Sequence, residues 1–253
     1  MKRYNDYSGL ISEFIILNKA KIIVEIGVNA GQTTIALCEA AKNNDGHVYG
    51  IDLWNTHGLY NQFQKTGDKN YVESMLKSNG YTNFTLIQKN TFDSDFSEQL
   101  KKLTPEIDLA FIDACHSYKG CLNDFQAIYP LLSKIGIVVF HDTQRIDGCR
   151  EFMYDLRTKF YDGTYDIFDL GGGYQNRMMG ISFLIKRQFP VLNIPINQCC
   201  GSVKNPYAIE LQEKEWYENE LNKSKINVLD VKIESLEMCP IKQFRPDRNY
   251  LDK

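Results

Sequence analysis

The sequence predicts an α/β fold: a doubly wound, mostly parallel seven-stranded sheet with a C-terminal appendage. Three observations carry that prediction. Short apolar runs alternate with stretches of helical periodicity from Ile22 to about residue 160. A glycine turn, Gly27-Val-Asn-Ala-Gly31, stands between the first apolar run and the first of those helices, as in the opening βαβ unit of a nucleotide-type binding fold. Two β-type runs then follow each other closely, Tyr165–Leu170 and Gly180–Lys186, and place an antiparallel hairpin at one edge.

The elements follow in order. Leu10, Ile11, Phe14, Ile15 and Leu17 recur at helical spacing, so residues 1–20 predict an opening helix with Ser8 as candidate cap. It covers the sheet edge or lies as a lid over a ligand. Ile22–Ile26 is the first strand, and the helix after Gly31 runs to about Lys42. Asn44-Asp-Gly46 turns the chain into strand two, His47–Asp52. Residues 54–69 are polar and aromatic with little periodicity and read as a mobile loop, followed by a helix over about Tyr71–Ser78. Strand three is Phe84–Gln88, after which Asp93 or Ser94 caps a helix that Pro105 ends. Strand four is Ile107–Ile112, and Tyr118–Leu132 is an amphipathic helix. Strand five is Gly136–Phe140, and a helix covers about Cys149–Phe160. Residues 1–187 read as the sheet domain. From 188 to 253 five prolines interrupt the chain around a charged helical piece, Ala208–Ser224, which reads as an appendage that packs on the sheet, covers the site or meets a partner subunit.

Composition bounds the function. Hydrophobic residues make up 43% and charged residues 24% of the 253, ordinary for a globular protein with a full core. The net charge is −3 and no basic block stands out, which argues against a nucleic-acid partner. No apolar run approaches the roughly 18 residues of a membrane span. Lys2 and Arg3 are followed by no apolar stretch, and the seven cysteines include no C-x-x-C pair. The expectation is a cytoplasmic protein with reduced thiols, a small-molecule substrate and room for a homo-oligomer.

The glycine loop holds the first chemistry. Gly27 and Gly31 permit a tight turn and a close approach of ligand to backbone, and the helix behind them starts with free amides. The loop reads G-x-N-x-G, with Asn29 in the middle. It lacks the third glycine of a dinucleotide loop and the Gly-Lys-Ser/Thr ending of a P-loop. Glu25 places a negative charge where a pyrophosphate would lie, which favours a ligand that carries a cation. Asp52, about twenty residues on, can hold a ribose diol. At Glu25–Gly31 the chain resembles the class I S-adenosylmethionine-dependent methyltransferases, whose first motif is E-x-G-x-x-x-G and which EIGVNAG matches. The resemblance implies their Rossmann-like fold and their cofactor. It sets the loop backbone at Gly27, Asn29 and Gly31 against the methionine part, Asp52 at the ribose hydroxyls and Asn90 to Asp93 near the adenine, with Thr33 and Leu53 as further cofactor contacts. Asp93 reads equally well as a helix cap.

The second constellation is Asp113-Ala-Cys-His116-Ser-Tyr118 with His141-Asp142. Asp113 and Asp142 follow neighbouring strands, so their carboxylates converge on one face of a parallel sheet. Two close carboxylates need a cation between them or a shared proton, and Mg²⁺ or another hard divalent ion is the natural partner. His116, three residues after Asp113, is a candidate base for a substrate hydroxyl. The pattern D-x-x-H-S-Y, helix, H-D-T is similar to a methyltransferase branch containing O-methyltransferases of sugars and antibiotic sugars. Together with the first motif that resemblance spans about residues 20–186. Carried over by position, it implies His116 as base and Asp113 and Asp142 as metal ligands, with Asp113 also near the cofactor. The branch's metal-using members close strand five with an acidic pair. Here His141 stands in the first of those places, as ligand or support. Tyr118, and Arg177 in the glycine-rich connection after strand six, are candidate acceptor contacts, Arg177 for a phosphate.

The expected function is methyl transfer from S-adenosylmethionine to a sugar hydroxyl, on a nucleotide-linked sugar or a surface-glycan precursor. The alternatives are a phenol or amine methyltransferase on the same fold, an NAD-binding oxidoreductase, and a non-catalytic cofactor-binding protein.

Overall fold

The computed structural model describes residues 7–54, 68–144, 146–170, 180–188 and 226–233. The elements are α1 (Ser8–Leu17), β1 (Ile22–Ile26), α2 (Gln32–Lys42), β2 (His47–Asp52), α3 (Lys69–Ser78), β3 (Phe84–Gln88), α4 (Phe96–Leu103), β4 (Ile107–Ile112), α5 (Tyr118–Ile128), β5 (Leu132–His141), α6 (Asp147–Arg157), β6 (Tyr165–Leu170) and β7 (Ile181–Lys186). The seven strands form one sheet in the order β3-β2-β1-β4-β5-β7-β6. β7 runs antiparallel to both β5 and β6, and the remaining pairs are parallel. This is the doubly wound sheet with an edge hairpin that the alternating runs predict.

The period of two along each strand sorts side chains to two cores. Ile23, Leu109, Phe111, Ile137 and Val139 face one layer, where α1, α2 and α3 contribute Ile11, Ile15, Leu37, Val72 and Leu76. Val24, Ala110, Ile112, Val138 and Phe140 face the other, against Phe96, Leu100, Phe125 and Phe152 of α4, α5 and α6. α1 therefore covers a sheet face beside α2, with Phe14 stacked on Phe168 and Phe183. The strand order reverses at β1, so the crevice beyond the carboxyl ends of β1 and β4 is where this architecture takes a ligand.

Several local expectations change. Ser8 is the first residue of α1, not its cap, and Tyr7 precedes it without a side-chain cap bond. Neither Asp93 nor Ser94 caps α4; Asp95 stands at that place, also without a cap bond. α5 ends at Ile128 because Pro130 tightens the next three residues into a 3₁₀ turn. β5 begins at Leu132, which pairs with Ile107 across an irregularity in register. α6 starts two residues earlier than predicted and ends at Arg157. Of the appendage, residues 226–233 pack on α5: Gln126 Nε2 donates to the carbonyls of Val228 (2.6 Å) and Val231 (2.9 Å). The predicted helix Ala208–Ser224 and most of the loop at 54–69 lie outside the described residues.

Candidate functional site

The glycine loop leaves β1 and lies over the end of β4. Gly27 has φ 96°, and a Cβ there would overlap the carbonyl oxygen of Asp113. Gly31 has φ 76° and forms the N-cap of α2. Both glycines are thus required by conformation, and Gly27 by contact as well. Asn29 lies between them at φ 49°. Its N–H donates to Asp52 Oδ2 at 2.7 Å, and Asp52 Oδ1 accepts from the Trp54 N–H at 2.8 Å. The Trp54 indole N–H closes the set on the Asn29 carbonyl at 3.2 Å. Trp54, buried and at φ 38°, is a site residue that sequence reasoning missed; its position two residues after Asp52 is its only signal. Thr33 is buried in the first turn of α2, and Leu53 is 49% exposed beside Asp52.

Glu25 lies beneath the loop. It is fully buried, and its Oε2 accepts from the Thr34 hydroxyl at 2.6 Å while Oε1 has no hydrogen-bond partner. Burial pushes its carboxyl well above the usual range, against the Thr34 bond, and the nearby Asp113 and Asp52 push the same way. Its bond to Thr34 ties the loop's strand to α2.

The second half of the site forms where β4 and β5 end. His116 Nε2 lies 3.2 Å from Asp113 Oδ1 and 3.0 Å from Asp142 Oδ2. His141 Nδ1 lies 3.3 Å from Asp113 Oδ1 and 2.9 Å from Asp142 Oδ1. Two carboxylates and two imidazoles therefore close a ring, with side chains 9% to 25% exposed. Burial disfavours the charged imidazoles, but the carboxylates of Asp113 and Asp142 outweigh it and raise His116 to about 11 and His141 to about 10. Burial would likewise raise the two aspartates, but the imidazoles outweigh it and hold both below the usual carboxylate range. Asp142 adopts φ 60°, a strained backbone for a residue with a side chain, as functional sites often hold.

The ring fits a divalent cation. Asp113, His141 and Asp142 each offer a ligand atom, all within 4.8 Å of one another. The 2.9 Å approach of His141 Nδ1 to Asp142 Oδ1 is out of line for a hydrogen bond, and both atoms are buried without a hydrogen-bond partner. Oxygen-rich donors with one imidazole suit Mg²⁺ or Mn²⁺.

The loop carrying His116 is held from both sides. Ser117 caps α5 by accepting from the Gly120 N–H at 3.0 Å. The thiols of Cys121 and Cys149 lie 3.7 Å from the carbonyls of Cys115 and His116. Gly148, in the first turn of α6, leaves no room for a Cβ against the His116 carbonyl. The remaining candidates are placed differently. Tyr118 turns toward α6 and donates its hydroxyl to Asp155 Oδ2 at 2.6 Å, beside a cleft of about 460 Å³ that it lines with Arg150 and Tyr154. Asp93 is paired with Lys89 at 2.9 Å at the end of β3. Arg177 lies outside the described residues.

Residues 24–143, from β1 to the turn after β5, match the family model Methyltransf_24, described as a methyltransferase domain. A protein of Sinorhizobium fredii is 29% identical over 128 residues, which is 48% of this chain and 13% of that protein. A protein of Acanthamoeba polyphaga mimivirus is 26% identical over 153 residues, 58% of this chain and 64% of that one. The chain thus spans less than two thirds of either curated relative. Among solved structures, the O-methyltransferase TomG from Streptomyces achromogenes, involved in tomaymycin synthesis and solved in complex with SAM, superposes with TM-score 0.56. The match covers 71% of this chain and 79% of that one at 17% identity, a likeness of fold.

Proposed function

We propose, from the methyltransferase domain that residues 24–143 match, that this protein transfers the methyl group of S-adenosylmethionine to a hydroxyl oxygen of a small molecule. The observation that carries the reading is the carboxylate–imidazole ring set against the glycine loop through the Gly27–Asp113 contact. S-adenosylmethionine would supply an electrophilic methyl on a sulfonium, displaced in line by the acceptor oxygen.

The chain's own groups divide the remaining work. Asp52 keeps acceptor capacity on both oxygens for a ribose diol, because the Asn29 and Trp54 amides use only part of it. The loop backbone of Gly27–Gly31 lies where the methionine part would rest. His116 is the base for the hydroxyl proton at Nε2. In the ring as it stands the carboxylates favour the protonated form of both imidazoles, so His116 becomes a base, and His141 a ligand, only once another positive group stands between the carboxylates. A divalent cation held by Asp113, His141 and Asp142 would supply that charge and polarise the acceptor oxygen.

The acceptor we infer is a sugar hydroxyl, nucleotide-linked or in a surface-glycan precursor. The D-x-x-H-S-Y and H-D-T segments, similar to the sugar-methylating branch, support that class. Among the described residues no helix is long and apolar enough to cross a membrane. The test is a methyl-transfer assay with labelled S-adenosylmethionine across nucleotide sugars, catechols and amines. Turnover of nucleotide sugars is expected, and turnover confined to catechols or amines would remove the sugar class. Calorimetry with S-adenosylhomocysteine and NAD tests the cofactor: tight NAD binding alone would overturn the reading.

A further inference from the structure

We propose that Trp54 is the positioning residue of the glycine loop: it holds Asn29 and Asp52 ready for the donor cofactor before the cofactor arrives. The proposal rests on the cofactor reading above and assigns a role to a residue outside its motifs.

Three hydrogen bonds make a closed circuit. Asn29 N–H donates to Asp52 Oδ2, Trp54 N–H donates to Asp52 Oδ1, and the Trp54 indole donates back to the Asn29 carbonyl. The circuit includes two residues with side chains in the left-handed backbone region, Asn29 at φ 49° and Trp54 at φ 38°. Asparagine tolerates that region; a bulky aromatic is an outlier there. Trp54 is 7% exposed and belongs to the buried cluster that also holds Val28, Val72, Leu76 and Leu86. The strained backbone lets Trp54 direct its own amide at Asp52 and its indole N–H at Asn29. A phenyl ring would fill much of the same space and could do only the first.

What the circuit holds is also informative. Asn29 is exposed and Asp52 half-buried, so the bonds fix surface groups whose ordering adds little to core stability. Ordering them in advance lowers the entropy cost of fitting a ligand to the loop. The indole is a donor only, so its bond orients the Asn29 peptide in a single sense. The two amides occupy one acceptor direction on each Asp52 oxygen and fix the carboxylate plane, leaving the other directions for vicinal hydroxyls.

The experiment uses the full chain with Trp54→Phe and reads two quantities. Amide hydrogen exchange at Asn29 should speed up at least fivefold relative to wild type, while Val24 in β1 keeps its protection. Affinity for S-adenosylhomocysteine by calorimetry should fall about tenfold. Unchanged exchange at Asn29, or a loss of protection at Val24 as large as that at Asn29, overturns the positioning role, the second outcome marking Trp54 as a general stability residue. Unchanged affinity despite faster Asn29 exchange overturns the link to the cofactor. Should wild type itself fail to bind S-adenosylhomocysteine, the proposed function falls, and the exchange data alone decide whether Trp54 holds the loop.

Discussion

Asp124 should make this protein less stable as pH rises toward neutrality, and Asp124→Asn should remove that dependence. The side chain lies on the inward face of α5, fully buried. Its Oδ1 accepts from the Asn123 amide at 3.3 Å, and its Oδ2 has no hydrogen-bond partner. Burial drives the carboxyl from an ordinary 3.8 to about 7, against hydrogen bonds from Thr91 and Asn123. The sign follows from proton counts. Between about pH 4 and 7 the folded chain keeps a proton that the unfolded chain has lost, so stability falls as pH rises through that window. Roughly three pH units at 1.36 kcal/mol each give a cost of about 4 kcal/mol, complete above pH 7. Asparagine has nearly the same shape and does not titrate. Urea denaturation at pH 5 and pH 8 should show the variant gaining on wild type by about 2 to 3 kcal/mol between the two. A difference between variant and wild type that stays constant with pH would refute the reasoning, as would one that moves in wild type's favour.

The site yields further expectations. His116→Gln should lower kcat by about 10² to 10⁴ while S-adenosylhomocysteine binding stays within a few-fold, and unchanged turnover would remove the histidine from the chemistry. Dialysis against EDTA should abolish methyl transfer and Mg²⁺ or Mn²⁺ should restore it; full activity in the chelated protein would end the cation assignment. Asp142→Asn strips one charge from a buried, paired set and should cost about 3 to 5 kcal/mol in denaturant titration, whereas a loss under 1 kcal/mol would show the ring to be solvated. Gly27→Ala forces a methyl onto the Asp113 carbonyl at positive φ, so S-adenosylhomocysteine affinity should drop at least tenfold, and near-normal affinity would show that the loop can move aside.

Much of the fold was legible because each strand is a short apolar run closed by turn residues, and β1, β2, β3 and β4 have the predicted limits. The start of β5 was hidden because Leu132 joins the sheet through one irregular pair with Ile107, which no local pattern announces. The cap of α4 was misread because Asp93 is drawn to Lys89 instead of to the helix amides. At the site, Asp113 and Asp142 could be placed together from strand ends alone. The pairing of both histidines with both carboxylates could not, since it depends on how the 113–117 loop folds back. Trp54 escaped notice because its role rests on two left-handed residues that the sequence does not mark. The depth of Glu25 beneath α2 was hidden because it is a property of packing and not of the motif.

β5 has, in effect, a reading frame. Ile137 and Val139 face the α1–α3 layer, and His141 meets Tyr7 and Phe111 on that same side. Val138 and Phe140 face the α4–α6 layer. Gain or loss of a single residue between Gly136 and His141 would swap the two sets, bringing a phenyl to the carboxylates and an imidazole into the opposite core. Insertions of the same size in the connections between elements would leave both layers as they are. The length of this strand is therefore under a constraint as strict as the identity of its last residue.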